Sequence, residues 1–486
     1  MIRISFVRMA LLLAALCFGK AASAAHPGAK KSLEQQQIRA LQQQLAAVEA
    51  ELKELAEQNQ KLLQKQQQLE LQFTQQSRAT QRPAPQLPEA PLPPPPVLTA
   101  PPPPVTGAGT GAGGVAFSNV RLWGYGELYY THPTRAPSKV QADLARAVVG
   151  IGYAFDDRTE FNSEFEVEHA ISSSSDVGEF EVEQFYVDRR LPDAVTLRAG
   201  LFLMPFGLLN EHHEPTNFYG VQRNFVETLI IPSTWREGGL SVHGDTSRGF
   251  SWNGGITTGF DLTKWDFAPR VPQYSTALDL ANSGAAPLRS THQELALANA
   301  RELSQYLALG YYGVPSLSFG AAISSGKAVK IPVPASAPAS GNPRVTLWEV
   351  HARWTPANVD LSALYARGSI SQVGAANAAN PGSPNPIPSE FYGYFAQAAY
   401  ALWERGDYRL TPFARWERYN MGSRYVGTLG PVVPGGSGYW PRNQDRVWTV
   451  GANFYTTPHV VFKADYQWYD LNRDFNRFDL GLGLNF

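Results

Sequence analysis

The 486-residue sequence predicts an all-β fold, a sixteen-stranded antiparallel transmembrane β-barrel preceded by an α-helical coiled coil and a Pro-rich linker. Two observations lead to this prediction. Short segments of alternating polarity fill residues 117–486, and this region holds every Trp and Tyr of the chain. A heptad repeat and a proline-rich run precede it. Nowhere does the chain approach the ~18 consecutive apolar residues of a spanning helix, which excludes a helical membrane protein.

Residues 1–24 are typical of a secretory signal peptide. Basic Arg3 and Arg8 precede an apolar run over residues 9–18, and small residues at 22–24 provide a cleavage site. The run is shorter than the ~20 residues of a spanning helix, which favours cleavage over anchoring. Cys17, the single cysteine, lies in this run. We therefore expect a mature chain without disulfides, thiolate metal sites or cysteine nucleophiles.

Residues 32–76 carry a heptad repeat, and we predict a periplasmic coiled coil there. From Ile38 onward the apolar residues step alternately by three and four, while the flanking positions are mostly Gln. A helix with so polar a surface gains little alone, which favours self-association. Asn59 at a core position costs stability but fixes the register. The apolar core positions are Leu41, Leu45, Val48, Leu52, Leu55, Leu62, Leu69 and Phe73.

Residues 83–114 are a Pro/Gly-rich linker. More than half of residues 83–104 are proline, and five glycines follow. This composition is typical of an extended polyproline spacer, or simply of a disordered linker. Coiled coil and spacer together have a reach on the order of 100 Å, a periplasmic dimension.

Residues 117–486 contain sixteen segments that match the ~10-residue length of a tilted spanning strand. Seven tight connectors all follow even-numbered strands, and the connectors after odd-numbered strands are mostly long, apart from residues 471–473. This is expected for short periplasmic turns and longer outer loops with both termini in the periplasm. The last strand has one apolar face and ends on Phe486, which resembles the recognition signal of outer-membrane barrels. The predicted strands are 120–130, 144–155, 158–171, 179–191, 193–202, 236–244, 249–260, 302–313, 315–325, 344–355, 357–370, 391–403, 407–419, 445–456, 458–470 and 474–486.

Tryptophans are predicted at two levels, as the aromatic girdles of a membrane barrel require. The alternative, a soluble β-sandwich, does not explain this segregation. The strand assignment places Trp123, Trp354 and Trp403 at periplasmic ends, and Trp348, Trp416, Trp448 and Trp468 near outer ends.

The polar faces of the strands indicate a water-filled lumen, because unpartnered carboxylates are costly in a packed core. In the third strand this face carries Glu160, Glu164, Glu166 and Glu168; the acidic run continues in the fourth, where the phase slips near Gln184. We expect acidic and basic walls to set up a transverse field across a pore, unless the arginines pair with carboxylates of the wall. The basic candidates are Arg121, Arg146, Arg198, Arg353, Arg409, Arg415, Lys463 and Arg477.

The third outer loop, residues 203–235, is the predicted constriction. Its apolar run at 229–231 is awkward outside a cell but easily placed if the loop folds against the inner wall. The candidate residues of this constriction loop are Glu211, His212, His213, Glu214, Arg223 and Glu227.

A family resemblance appears at this loop. Residues 198–207 read RAGLFLMPFG and lead into Glu211, and residues 235–239 read WREGG. Both segments resemble the phosphate-selective porin O and P family, over most of residues 117–486. The resemblance implies a sixteen-stranded trimeric barrel with an inward-folded third loop, and a coiled coil is also seen in such proteins. Leu203 and Met204 stand where related motifs commonly carry Lys and Pro, and residues 117–486 hold 30 Lys plus Arg against 35 Asp plus Glu. Phosphate specificity is therefore not predicted.

The sequence thus predicts an outer-membrane porin, a channel for passive diffusion of small hydrophilic solutes or ions, as a homotrimer in outer-membrane lipid. The alternative is a structural anchor that tethers the envelope through the coiled coil by cell-wall contact. Catalysis is not expected, because His212, His213 and Glu214 lack the one-face spacing of a helical zinc motif. We predict no cofactor, no metal site and no nucleic-acid partner.

Overall fold

The computed structural model describes residues 119–171, 173, 178–192, 194–268, 286–333, 341–383, 385–427, 444–471 and 473–486. The predicted signal peptide, coiled coil and linker lie outside these residues and stay predictions. Among the described residues, no helix combines the length and the apolar character needed to cross a membrane.

These residues form a closed antiparallel β-barrel. Strand β1 (Val120–Pro133) pairs with β2 (Gln141–Ala154) on one side and with β17 (Arg477–Asn485) on the other, which closes the sheet. Strands β12 (Glu390–Tyr400) and β13 (Trp403–Arg405) both pair with β14, so they form one interrupted barrel strand. The seventeen segments therefore build sixteen barrel strands, as predicted, and closure satisfies the backbone without a free edge.

The remaining strands follow in chain order and each pairs with its neighbours. They are β3 (Thr159–Glu168), β4 (Glu179–Arg190), β5 (Val195–Leu203), β6 (Arg236–Asp245), β7 (Phe250–Thr258), β8 (Leu303–Val314), β9 (Leu317–Lys327), β10 (Arg344–Trp354), β11 (Val359–Ile370), β14 (Tyr408–Arg424), β15 (Gln444–Thr457) and β16 (Val460–Tyr469).

The two ends of the barrel differ in their connectors. One end, here the turn end, carries the seven predicted tight connectors together with the first and last described residues. Ser316 and Ala357 adopt positive φ angles of 64° and 49° in two of these turns. The opposite end, here the loop end, carries the long connectors, among them residues 204–235 and 259–302. The predicted alternation of short and long connectors is confirmed.

The outer surface of the barrel is apolar and banded with aromatic residues. Trp416, Trp448 and Trp468 lie opposite one another on three neighbouring strands near the loop end. Trp354 and Trp403 are exposed near the turn end. Trp123 lies near the predicted end of its strand, but its place in the outer girdle is wrong. Its side chain lies on the inner face, where its indole N–H donates to Glu164 at 2.6 Å. Leu122 takes the outward position beside it, because successive strand residues face opposite sides.

A β-bulge in β4 explains the predicted phase slip. Glu164 lies opposite Gln184, but Phe165 lies opposite Val182, so Glu183 is an extra residue in β4. The bulge leaves Glu183 completely buried inside the barrel.

The apolar core of the molecule lies inside the loop-end half of the barrel. Phe206 packs on Trp235 with ring centres 4.8 Å apart, and Trp235 packs on Phe260 at 5.7 Å. Trp265, from the same long connector as Phe260, donates its indole N–H to the Asn385 carbonyl at 2.9 Å. Connectors from three parts of the chain therefore fold over the barrel mouth and bury their apolar side chains against each other.

Candidate functional site in the barrel interior

The connector between β5 and β6, residues 204–235, is called the third loop below. It leaves the wall at β5 and reaches the opposite strands through its backbone. The amide of Val221 donates to Asp465 of β16 at 2.6 Å, and the amide of Phe225 donates to Glu417 of β14 at 2.6 Å. These carboxylates lie on the inner face of the wall. The third loop therefore crosses the barrel interior.

Two strands permit a close approach of this loop. A Cβ atom on Gly393 of β12 would lie 2.9 Å from Ile230 Cγ1, and one on Gly483 of β17 would lie 2.5 Å from Pro215. Residues Val226–Ile230 form a short π-helical turn and are buried. The apolar run at 229–231 thus packs inside the barrel, which is the placement that the sequence favours.

On the near side, His213 holds the loop to the wall. Its Nδ1 lies 2.8 Å from the Asn210 carbonyl, and its Nε2 lies 2.6 Å from the Tyr125 hydroxyl and 3.0 Å from Glu183 Oε1. Arg146 donates to the His213 carbonyl at 3.0 Å. These groups are almost fully buried, so their contacts fix the position of the loop where it leaves the wall.

Arg223 and Glu227 brace the loop internally. Glu227 accepts hydrogen bonds from the amides of Leu208 and Leu209 at 2.6 and 2.8 Å, and from Asn224 Nδ2 at 2.6 Å. Burial raises the pKa of Glu227 from its usual range in spite of these bonds. Arg223 donates to the hydroxyls of two loop residues, at 2.8 and 3.0 Å. Burial, followed by the charge of Arg146, lowers the pKa of Arg223.

Of the six predicted loop residues, Glu211 and His212 are the exposed ones. Glu211 interacts electrostatically with Arg198, Tyr186 and Tyr306 of the neighbouring wall. Glu214 is half-buried and accepts a bond from Asn217 at 2.7 Å. The predicted set therefore divides into residues that build the loop and a pair that faces water.

Two of the basic candidates lie beside the acidic strand rather than on an opposed wall, contrary to the expectation. Arg121 pairs with Glu160 and donates to Asn162 at 3.0 Å. Arg146 pairs with Glu127 at 2.6 Å and lies on β2, beside the acidic strand β3. Both signs of charge therefore share the sector formed by β1 to β4. The sequence pattern assigns each charge to a face, but not to a partner.

Within that sector the acidic strand is largely covered. Glu164 accepts hydrogen bonds from Trp123 and, at 2.5 Å, from Gln184, and only 8% of it is exposed. Glu166 is 2% exposed, whereas Glu160 and Glu168 near the two ends are half-buried.

The other basic candidates mostly pair within the wall, the alternative that the sequence left open. Arg353 and Asp360 form two hydrogen bonds of 3.0 and 2.6 Å. Arg198 forms two with Asp188, at 2.8 and 2.9 Å. The same arrangement recurs as Arg415 with Glu417 at 3.0 Å and Arg477 with Asp479 at 2.8 Å.

Two basic residues have aromatic neighbours instead. Arg409 is exposed at the turn end, and its guanidinium lies 4.2 Å from the ring centre of Tyr455. Lys463 is 4% exposed, and its Nζ lies 3.5 Å from the ring centre of Phe218. No described residue makes a hydrogen bond to this Nζ.

The interior has a covered wall and an open wall. The covered wall is the inner face of β15 to β17, which the third loop overlies; Thr449, Asn453 and Gln467 on it are 0% exposed. The open wall is the turn-end half of the inner face of β7 to β9. Its side chains are small and partly exposed, so they leave space that the loop does not fill. The open wall consists of Ser251, Asn253, Ala308, Gly310 and Ser318, whereas the neighbouring Gly320 lies under the ring of His351.

Sequence reasoning missed several residues of this site. Tyr125 and Glu183 bind His213, and Asn453 accepts from the Gly220 amide at 3.2 Å and donates to the Phe218 carbonyl at 3.0 Å. The one sequence feature that marks these residues is their polar character on the inner face of strands that are otherwise apolar. Within the described ranges no group of three or more His, Cys, Asp or Glu side chains is arranged to hold a metal.

No family model matches the chain. An uncharacterised protein of Aquifex aeolicus (strain VF5) is 28% identical over 364 residues, which cover 71% of this chain and 75% of that protein. Among solved structures, OmpF of Salmonella typhi in complex with daunomycin is similar with a TM-score of 0.46 and 13% identity, covering 76% of this chain and 98% of OmpF. An anion-selective porin from Comamonas acidovorans gives a TM-score of 0.44 and 11% identity, covering 75% and 98%.

Proposed function

We propose that this chain is an outer-membrane porin that forms a water-filled channel for passive diffusion of small hydrophilic solutes or ions. The observation that carries the proposal is the division of the interior into a loop-covered wall and a partly exposed wall of small polar residues, inside a barrel whose outer surface is apolar. A closed barrel with an apolar outer surface is suited to a lipid bilayer, and small side chains on its inner face leave room for water.

The turn end is placed in the periplasm in this proposal, because barrels of this kind have short periplasmic turns and longer outer loops. The third loop then enters the lumen from the outer side and is the proposed constriction. Glu211 and His212 lie on its exposed edge, where Glu211 interacts electrostatically with Arg198 of the neighbouring wall. The phosphate-selective family remains a resemblance of residues 198–207 and 235–239. Since most described arginines pair with carboxylates, we propose weak ion selectivity and no dedicated phosphate site.

The test is conductance in a planar bilayer. Purified protein added to one side should give discrete current steps that scale with salt concentration, because the path is aqueous. An asymmetric salt gradient should then give a small reversal potential, consistent with paired charges. A barrel that inserts into vesicles but gives no current steps would contradict the porin proposal and favour the anchor alternative.

A homotrimer is proposed on the basis of the heptad repeat at 32–76 and the family resemblance. Deleting residues 32–76 should lower the temperature at which the oligomer dissociates on gels, since the coiled coil adds an interchain contact. The monomeric barrels should still insert, because closure satisfies their own backbone hydrogen bonds. The comparison variant is Asn59→Ile in the intact chain, which replaces a polar core residue of the coiled coil and should raise the dissociation temperature. Identical gel melting for all three proteins would contradict the role of the coiled coil.

A further inference from the structure

The outer surface of the barrel has an aromatic cleft near the turn end. Its volume is about 650 Å³, and its walls are Trp403, Arg405, Gly406, Tyr408 and Phe454. The cleft lies where the barrel strand is interrupted between β12 and β13. Trp403 is 45% exposed and Tyr408 is 49% exposed. Tyr408 stacks on Phe454 with ring centres 6.1 Å apart. None of these residues belongs to the interior site.

The strand register puts Arg405 on the same outer face as the aromatic residues. Arg405 pairs in register with Tyr408, and Trp403 pairs with Leu410. The residue between them, Glu404, pairs with Arg409. Because successive strand residues face opposite sides, Glu404 and Arg409 share the inner face. The carboxylate next in sequence is therefore directed away from the guanidinium of Arg405.

Arg405 forms no ion pair in the part of the chain that the structure describes, although Asp407 follows it in the same turn. Its side chain is exposed, and no ion pair or side-chain hydrogen bond joins it to a described residue. By contrast, Arg189, also at the turn end, pairs with Asp156 at 3.0 Å. A guanidinium that forms no ion pair, beside Trp and Tyr at the edge of an apolar surface, is well placed to bind an anion.

We infer that this cleft binds the phosphate headgroup of a glycerophospholipid in the leaflet at the turn end. Guanidinium groups bind phosphate with two parallel hydrogen bonds, and Trp and Tyr favour the level of the headgroups. The exposed rings of Trp403 and Tyr408 provide apolar surface for an acyl chain. The aromatic walls favour a lipid over free phosphate, and the unpaired charge favours a lipid over the apolar face of a second copy. This inference rests on the proposed membrane insertion.

The experiment measures lipid retention by the full chain in detergent, using native mass spectrometry with added palmitoyl-oleoyl phosphatidylglycerol. Arg405→Gln should bind this lipid about fivefold more weakly, since one basic residue contributes on the order of 1 kcal/mol at an anionic surface. Arg405→Lys should lose less, because it keeps the charge. The matched control is Arg446→Gln, an exposed arginine of β15 at the loop end, which pairs with Asp470 at 2.5 Å. Its lipid binding should equal that of the unaltered chain.

Further measurements distinguish a bound lipid from free phosphate and from a second copy of the chain. Glycerol phosphate, which has the headgroup but no acyl chains, should not compete with the lipid; equal competition would overturn the lipid assignment. Unchanged lipid retention in Arg405→Gln would overturn the inference, and a loss of oligomer without a loss of lipid would assign the cleft to a second copy. Conductance of Arg405→Gln should match that of the unaltered chain. Normal channels with unchanged lipid binding would refute this inference and leave the porin proposal intact.

Discussion

Excision of residues 211–232 from the third loop should raise the single-channel conductance severalfold. The loop crosses the interior from β5 to β14 and β16, so it occupies cross-section that water and ions would otherwise use. The two ends of the excised segment are already close: the amide of Met204 donates to the Trp235 carbonyl at 2.8 Å, and Asn210 braces both strands of this stem. A short Gly-Ser linker from Asn210 to Ser233 should therefore close the gap.

The barrel should survive this excision. Strands β5 and β6 pair over their whole length without the loop, and each wall strand keeps its backbone hydrogen bonds. Charged groups that the loop now buries, such as Asp465 and Glu417, would become exposed to water, and water molecules would replace their hydrogen bonds to the loop. The matched control replaces residues 135–139, which lie in an exposed loop at the same end, by Gly-Ser. That control should not change the conductance. If the two excisions give the same current steps, the third loop does not limit the current.

The barrel itself was predictable because its two strongest signals are local. Alternation of polar and apolar residues predicts each strand and its two faces, and turn residues predict where the chain reverses direction. The errors lie where these signals weaken. Strand β14 runs to Arg424, five residues past the predicted end, because its continuation pairs with β12 beyond the apolar band. Trp123 was placed in the outer girdle from its position at a strand end, although Arg121, two residues earlier, was assigned to the polar inner face and residues two apart share a face.

The interior was less predictable because it depends on contacts between distant strands. The apolar run at 229–231 indicated that the third loop turns inward, and the structure places it there. Which carboxylate receives which loop amide follows from the register of β14 to β16 and from the path of the loop, which no local pattern encodes. Strand register also explains why the partners of the charged side chains could not be predicted. Arg146 has a clear inner face in sequence, but its partner Glu127 is set by the pairing of β1 with β2.

The open wall offers the second large effect, a block of current by chemical modification. The one natural cysteine, Cys17, lies in the predicted signal peptide, so an introduced cysteine is a clean target. Ser318→Cys, a near-isosteric change on the partly exposed inner face of β9, should react with a sulfonated methanethiosulfonate reagent. The adduct adds bulk and a negative charge to the proposed water path. We expect a large stepwise fall in current for each modified channel, reversed by a thiol reductant.

The matched control is Thr449→Cys on the covered wall, where the native side chain is 0% exposed. It should stay unreactive and conduct normally, because the third loop excludes the reagent from that wall. The decisive measurement combines this control with the excision of residues 211–232: removing the loop should make Thr449→Cys reactive while Ser318→Cys stays reactive. Equal block at both positions in the intact protein would mean that water reaches both walls and that the loop does not partition the lumen. Block at Thr449→Cys alone would place the water path on the opposite side from the one proposed, since the reagent can follow only the route that the solvent takes.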